Sequence, residues 1–421
     1  MKRIFLIITL VACTLICATA HPKTTEHIAY ALRTDSIMPE DSVQADTVID
    51  NIRAEETLRA RVTKLLDNDI FERTQVGLYI YDLTADTLVI AYHERQCMRP
   101  ASNEKLMTAI TALNDLGVNY QYSTRLYVDQ LPQEGDSIFS GHVYIRAGYD
   151  PLFNADDMHT FARELKAHGI TRITSPICLD LSMKDDKLLG WGWCWDDDEV
   201  PTTPLLFNNR DTFIENMRRI FQTEDIEWDG TTTEHRTPSG ATLLCNRTHN
   251  IDDVLVPMMK KSNNSMAESM FYQIAAQGDR TKVGRKQAVA HYNALISHIG
   301  LDPSHYQIAD GSGLSLYNYL TPELLGRMLR YAYNDEDIFR HLHQSLPIAG
   351  RDGTLRKRMR GTSAAGNVHA KTGTVEGVST LSGYCTTAQG NVLCFSIMNQ
   401  GIRHTSTGRN FQDRVCKALC K

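Results

Sequence analysis

The chain has 421 residues, 42% of them hydrophobic and 22% charged, which is ordinary globular composition and more than the usual length of one domain. Its net charge of -6 offers no basic field to hold a polyanion, so nucleic acid is excluded as an expected partner.

Residues 1–20 open with Met-Lys-Arg, continue as an apolar run from Ile4 to Ala18 and end on Ala18-Thr-Ala20, the layout of a cleaved secretory signal. We expect export, cleavage after Ala20 and residence in the periplasm. No later stretch is apolar enough to span a bilayer. Leu10-Val-Ala-Cys13 resembles a lipobox and offers a competing outcome, a lipid on Cys13. Cleavage at Ala20 leaves eight of the ten cysteines, scattered, with no C-x-x-C pair and no His-Glu-x-x-His, so no metal and no other cofactor is expected.

Residues 21–51 are polar and read as a tether. Leu58, Val62, Leu65 and Leu66 then give a helical period over about 51–69, and Val76–Leu83 and Leu88–His93 alternate around Thr84-Ala-Asp-Thr87 as a β-hairpin. The next stretch is Arg99-Pro-Ala-Ser-Asn-Glu-Lys-Leu106. After Ser102, Leu106, Ala109, Ile110 and Leu113 recur at helical spacing, so a helix starts at or near Ser102. Side chains three apart share one side of a helix, which makes Ser102 and Lys105 neighbours, the arrangement of a serine nucleophile and a lysine base. The same residues also fit a serine N-cap and a solvated lysine, and a lone S-x-x-K is expected about once by chance in a chain this long.

From 126 to 244 the elements shorten: a strand within Gly141–Arg146, a turn at Gly148-Tyr-Asp-Pro151, a helix over Ala155–His168, a strand at Ile177–Leu181 and a helical segment at Asp211–Phe221. We read this stretch as a domain inserted into another formed by 52–125 and 245–421. Trp191, Trp193 and Trp195 either line a cleft or fill the insert's small core.

Helices are predicted at Ile251–Lys260, Ser265–Ala276, Arg285–Ile299 and Pro322–Tyr333, and strands at Val368–Gly373, Val378–Thr386 and Val392–Asn399, before a closing helix at Gly408–Cys420. Strands at both ends with helices between suit an α+β domain whose sheet both termini complete. Across the turn at Gln389-Gly390, Cys385 and Cys394 face each other if the loop has two residues. A three-residue bulged loop pairs Cys385 with Leu393 instead.

Three short motifs occur in order: Ser102-Asn-Glu-Lys105, Ser262-Asn-Asn264 and His369-Ala-Lys-Thr-Gly-Thr374. Each alone has a plain structural explanation as a cap or a strand end. Together, at a helix start, an inter-helix turn and a strand, they match the S-x-x-K, S-D-N and K-T-G set of penicillin-binding proteins and β-lactamases. The sequence resembles the D-alanyl-D-alanine carboxypeptidase/endopeptidases, the class C low-molecular-mass penicillin-binding proteins. Asp310-Gly-Ser-Gly-Leu-Ser315, Ser345-Leu-Pro-Ile-Ala-Gly350 and Leu381-Ser-Gly-Tyr384 extend the resemblance, which runs from about Asn51 to Asn399. That family usually inserts two domains between its first two motifs. Here Ser102 and Ser262 are 160 positions apart, as though the second insert were missing.

The resemblance implies a transpeptidase-like fold of the penicillin-binding and serine β-lactamase type, interrupted by a smaller α/β insertion, and hydrolysis of peptidoglycan stem peptides through an acyl-enzyme on Ser102. β-Lactams would acylate the same serine. Lys105 can act as base only when neutral, which from a reference pKa of about 10.4 costs on the order of 4 to 5 kcal/mol at pH 7. Burial and the second cation, Lys371, are expected to lower that cost. Ser262 would relay a proton, Asn264 position the substrate amide, and Thr372, Gly373 and Thr374 bind the substrate and its terminal carboxylate. The resemblance further implies that Asp180 binds a diaminopimelate amine, although the residue alone reads as a strand-end carboxylate. A β-lactamase or esterase, or a non-catalytic peptidoglycan-binding scaffold, are the alternatives.

Overall fold

The computed structural model describes residues 57–421 except 134–137, 196, 198 and 200, so the expected secretion signal, the tether and Cys13 lie outside the described residues. Residues 57–66 form helix α1, followed by the expected hairpin of β1 (Gln75–Asp82) and β2 (Thr87–Tyr92). A 3-10 turn at Ala101–Asn103 leads into α2 (Glu104–Asp115). Next come β3 (Gln121–Val128), β4 (Ile138–Phe139), β5 (Val143–Arg146), α3 (Ala155–Ala167), β6 (Arg172–Ile173), β7 (Ile177–Asp180), α4 (Phe213–Thr223), β8 (Glu227–Trp228), β9 (Thr232–Glu234) and β10 (Thr242–Asn250). The chain continues through α5 (Ile251–Lys260), α6 (Asn264–Ala275), α7 (Arg285–His298), α8 (Pro322–Tyr333), α9 (Glu336–Ser345), β11 (His369–Val375), β12 (Val378–Thr386), β13 (Val392–Gln400) and α10 (Thr405–Leu419). Helix α9 escapes the sequence pattern because only Ile338 and Leu342 mark its apolar face. Its start is fixed by Asp335, which accepts the Ile338 N–H at 3.0 Å.

The main sheet runs β11-β12-β13-β1-β2, antiparallel throughout, so the first and last strands complete one layer. In β1 the alternation separates two cores. Val76, Leu78 and Ile80 pack with α1 and α10, while Tyr79 and Tyr81 pack with α2 and α8. Gly326 makes the second contact possible: a Cβ there would lie 2.1 Å from the Tyr79 ring, so any larger residue would lift α8 off the sheet.

A second sheet, β10-β3-β5-β7-β9, and a parallel three-strand piece, β4-β6-β8, surround a separate core that includes Leu126, Phe153, Phe161, Ile177 and Phe221. Strands β3 and β10 pair from Gln121↔Asn250 to Val128↔Thr242, so positions 125/126 and 244/245 fall inside one ribbon that enters and leaves this region. The tryptophans do not fill that core: Trp191 and Trp195 are exposed, and the Trp193 ring N–H donates to Asp310 Oδ2 at 2.8 Å.

The β12–β13 loop is the three-residue form, Ala388-Gln389-Gly390, closed by Thr387 N–H to the Asn391 carbonyl at 2.9 Å, with Gly390 at φ 92°. Cys385 therefore faces Leu393 and Cys394 faces Tyr384, and both thiols are free.

Candidate active site

Ser102 sits in the 3-10 turn rather than at a helix cap, and its side chain caps nothing. The turn is bolted to the main sheet. Thr380 Oγ1 donates to the Pro100 carbonyl at 2.8 Å, and Asn103 Nδ2 donates to Ser382 Oγ at 2.8 Å, which in turn donates to Ser396 Oγ at 2.9 Å. Ala101, immediately before the serine, has φ 46°, and Ser262 has φ 59°; non-glycine residues in this left-handed region cost of order 1–3 kcal/mol, and here they flank or carry two of the motifs. Gly373 lets β11 approach the turn, since a Cβ would stand 2.7 Å from the Pro100 carbonyl oxygen and 3.1 Å from Asn103 N.

The three motifs meet. Lys105 Nζ lies 3.2 Å from Ser102 Oγ, 2.6 Å from Asn264 Oδ1 and 2.7 Å from the Ser312 carbonyl oxygen. Lys371 Nζ donates to Ser262 Oγ at 2.9 Å and to the Thr372 carbonyl at 2.8 Å. Both lysines are fully buried. Burial pulls the Lys105 amine down to about 8, against the opposing pull of Asp310, Glu268, Glu199 and Glu104. At that value its neutral form costs only about 1.4 kcal/mol at pH 7. Burial, and then the Lys105 charge, hold Lys371 well below its ordinary value, and because the repulsion of two like charges is mutual, each ammonium disfavours the other.

The carboxyl groups under Lys105 were not singled out from sequence. Burial, then Asp310, raises Glu268 to about 8, and burial, then Asp310 and Glu268, raises Glu104 well above the carboxylate range. Asp310 accepts the N–H groups of Gly313 and Ser315 at 2.8 and 2.7 Å, fixing the loop whose Ser312 carbonyl meets Lys105. Glu199 accepts from Asn264 Nδ2. Asp310 lies in a phrase already noted for its resemblance, and Glu199 ends the acidic run from 196 to 199. The signal for Glu104 and Glu268 is weaker: Glu104 lies inside the first motif, and Glu268 is the one acidic residue of α6.

Strand β11 is the edge of its sheet, and the Pro347 carbonyl and the Ile348–His369 bridge cover it only near 369–370. Thr372 Oγ1 donates to Thr354 Oγ1 at 2.8 Å, and exposed Thr374 accepts from Arg409 Nη2 at 3.4 Å. Asp180 is not drawn into this group. It is buried at the end of β7, accepting Ser182 N–H at 3.1 Å and Thr237 N–H at 2.9 Å. Burial pushes its pKa up, but those hydrogen bonds outweigh burial and hold it below the usual range.

A serine against a buried amine, beside a lysine-paired second serine and an open strand edge, on a helix-covered antiparallel sheet, defines a penicillin-binding serine hydrolase. The chain belongs to the D-Ala-D-Ala carboxypeptidase 3 (S13) family, whose profile matches residues 58–207 and 199–420. It is 24% identical to the D-alanyl-D-alanine carboxypeptidase DacB of Haemophilus influenzae, over 80% of this chain and 87% of that protein. It is 26% identical to a D-alanyl-D-alanine carboxypeptidase of Actinomadura sp., over 82% of this chain and 81% of the relative. The crystal structure of penicillin binding protein 4 (dacB) from Haemophilus influenzae shares the fold, with TM-score 0.76 and 22% identity over 86% of this chain and 98% of that one. The same protein is also known in complex with a β-lactam, with TM-score 0.68 and 23% identity over 85% of this chain and 97% of that one.

Proposed function

We propose that Ser102 Oγ attacks the carbonyl of the penultimate D-Ala of a peptidoglycan stem peptide while neutral Lys105 takes its proton. The chain is a serine-type, penicillin-binding D-Ala-D-Ala carboxypeptidase/endopeptidase by family, and this assigns its parts. As the C–N bond breaks, the proton passes through Ser262, held by Lys371, to the leaving amine. Water then cleaves the Ser102 ester and releases the shortened peptide. When the leaving amine belongs to a cross-linked neighbouring strand, the same steps make the enzyme an endopeptidase. The N–H groups of Ser102 and Thr374 serve as oxyanion hole, Asn264 orients the substrate amide, and the hydroxyls of Thr372 and Thr374, with Gly373 between them, receive the carboxylate beside the leaving amine. The extended peptide lies along β11.

The observation that carries this reading is the 3.2 Å contact between Ser102 Oγ and the buried Lys105 amine. Fluorescent penicillin is expected to label the protein covalently, with no label on Ser102→Ala and slow release from the native protein. Rapid release would make it a β-lactamase, and no labelling would leave only a scaffold. Mass analysis of cross-linked and uncross-linked muropeptides after incubation apportions the two peptidase activities.

The secretory signal, cleavage after Ala20 and a periplasmic location complete the proposal, in keeping with the absence, among the described residues, of any helix able to cross a membrane. The N-terminal mass of the mature protein distinguishes cleavage at Ala20 from a lipid on Cys13.

A further inference from the structure

Six of the eleven large apolar side chains exposed among the described residues lie on two loops: Leu188, Leu189, Trp191, Trp195, Leu316 and Tyr317. Such clustering marks a binding surface rather than scattered surface residues. Two of the rings, Trp191 and Tyr317, are held in place before any ligand arrives. Trp191 and Tyr317 have ring centroids 5.1 Å apart at 56°, and the Arg285 guanidinium, which donates to the Ile308 carbonyl at 2.8 Å, covers Trp191 at 4.5 Å. Trp193 anchors the first loop to Asp310, and Gln307 Nε2 holds the Tyr317 carbonyl at 2.7 Å. At Gly192, φ 83°, a Cβ would lie 2.5 Å from the Tyr317 ring, so the loops touch through a residue that only glycine suits. Yet Trp195 remains 91%, Tyr317 48% and Trp191 45% exposed.

We propose that this platform binds the glycan strand that carries the stem peptide, its rings stacking on the C–H faces of N-acetylated hexosamines. The inference rests on the peptidoglycan reading above. Continuity with the cleft supports it: the loop that gives its Ser312 carbonyl to Lys105 carries Tyr317 five residues later, at most about 18 Å of chain away. The acyl D-Ala of a stem peptide is the fourth residue from the sugar, about 13 Å when extended. The span of a peptide anchored at Ser102 is thus of the same order as the stretch of loop that separates the cleft from the rings. A neutral saccharide also suits the charge. Asp197, which accepts the Cys194 N–H at 2.7 Å two residues from Trp195, puts negative charge beside the rings and would repel an anionic bilayer.

Three of the chain's four tryptophans belong to the two-loop region, so intrinsic fluorescence reports on it. Neutral oligomers of N-acetylglucosamine are expected to quench that fluorescence in the native protein and much less in Trp195→Ala and Tyr317→Ala. In kinetics, the ratio of kcat/KM for disaccharide-linked pentapeptide over free pentapeptide should fall about tenfold in either variant. An unchanged ratio, or equal loss on both substrates, overturns the platform, as does binding to phosphatidylglycerol vesicles in place of these oligomers. Loss of peptidase activity altogether in the native protein, with glycan quenching intact, would instead sink the peptidase reading and leave the platform standing.

Discussion

The Lys105 amine is 2.6 Å from Asn264 Oδ1 but 3.2 Å from the Ser102 hydroxyl that the proposed mechanism has it deprotonate. With the Ser312 carbonyl also at 2.7 Å, the resting amine is placed as an ammonium donating to three oxygens. Catalysis then waits for that proton to leave. A Lys105 pKa of about 8 puts its loss just above neutrality, so kcat/KM should rise with pH through about 8 and level off above it. Asn264→Asp tests the assignment. A carboxylate at this distance favours the charged amine, so the rising limb should move up by about 1–2 pH units. A limb that stays in place would mean that another group titrates.

Ser262 is held differently, by a lysine on β11 and by its own left-handed backbone. Ser262→Ala removes the hydroxyl and keeps both lysines. We expect kcat for peptide hydrolysis to drop about 10²–10⁴-fold, the usual range for a lost proton-transfer group. Binding should change little, and the KM-against-kcat split in steady-state kinetics is the check. Loss confined to KM would reassign Ser262 to substrate binding.

Gly373 couples the strand to the nucleophile. An added methyl at this position meets the Pro100 carbonyl and Asn103 N, which are backbone and cannot swing aside. Gly373→Ala should therefore shift the 100–103 turn by a few tenths of an ångström or more and slow penicillin acylation of Ser102 by at least about tenfold, since small misplacements at a reacting atom are costly. Melting temperature and acylation rate measured together separate this local effect from general loss of fold.

The sheet, the hairpins and most helices were legible because their patterns are local. Period-two alternation marks β1, a nearly continuous apolar run marks β13, and the apolar stripe of α2 starts where its chemistry does. The motif residues were legible as types and order, and folding brings Ser102, Lys105, Ser262, Asn264 and Lys371 into one cleft. What sequence does not carry is which distant groups share a buried space. Glu104, Glu268 and Asp310 come from three separate segments, and their mutual repulsion exists only once α2, α6 and the Asp310 loop pack together. The mutual repulsion of Lys105 and Lys371 is legible from their charges, whereas the complete burial that lowers Lys371 further is not. Asp180 shows the opposite case, a residue whose bland reading as a strand-end carboxylate matches its two backbone partners.

Glu104 gives the sharpest stability prediction, because both of its carboxyl oxygens are buried without a hydrogen-bond partner. Its proton is retained in the folded chain well above the value of 4.5 at which an exposed glutamate gives it up. Over that interval the unfolded state binds fewer protons than the folded one, so this residue makes stability fall as pH rises from about 4.5 toward the folded pKa. Glu104→Met keeps the length and helix propensity of the side chain and removes both the buried polar atoms and the ionisation. The variant should be more stable at pH 7 by about 1–3 kcal/mol, with a higher Tm, and the gain should shrink below pH 4.5, where glutamate is neutral in both states. Glu104→Gln, which keeps two polar atoms in the same apolar place, should recover the pH-independence but much less of the gain. Thermal melts of the three proteins between pH 4 and 8 decide the matter: parallel curves for the native chain and Glu104→Met would show that Glu104 is ionised in the folded protein, and that its charge is compensated by a partner.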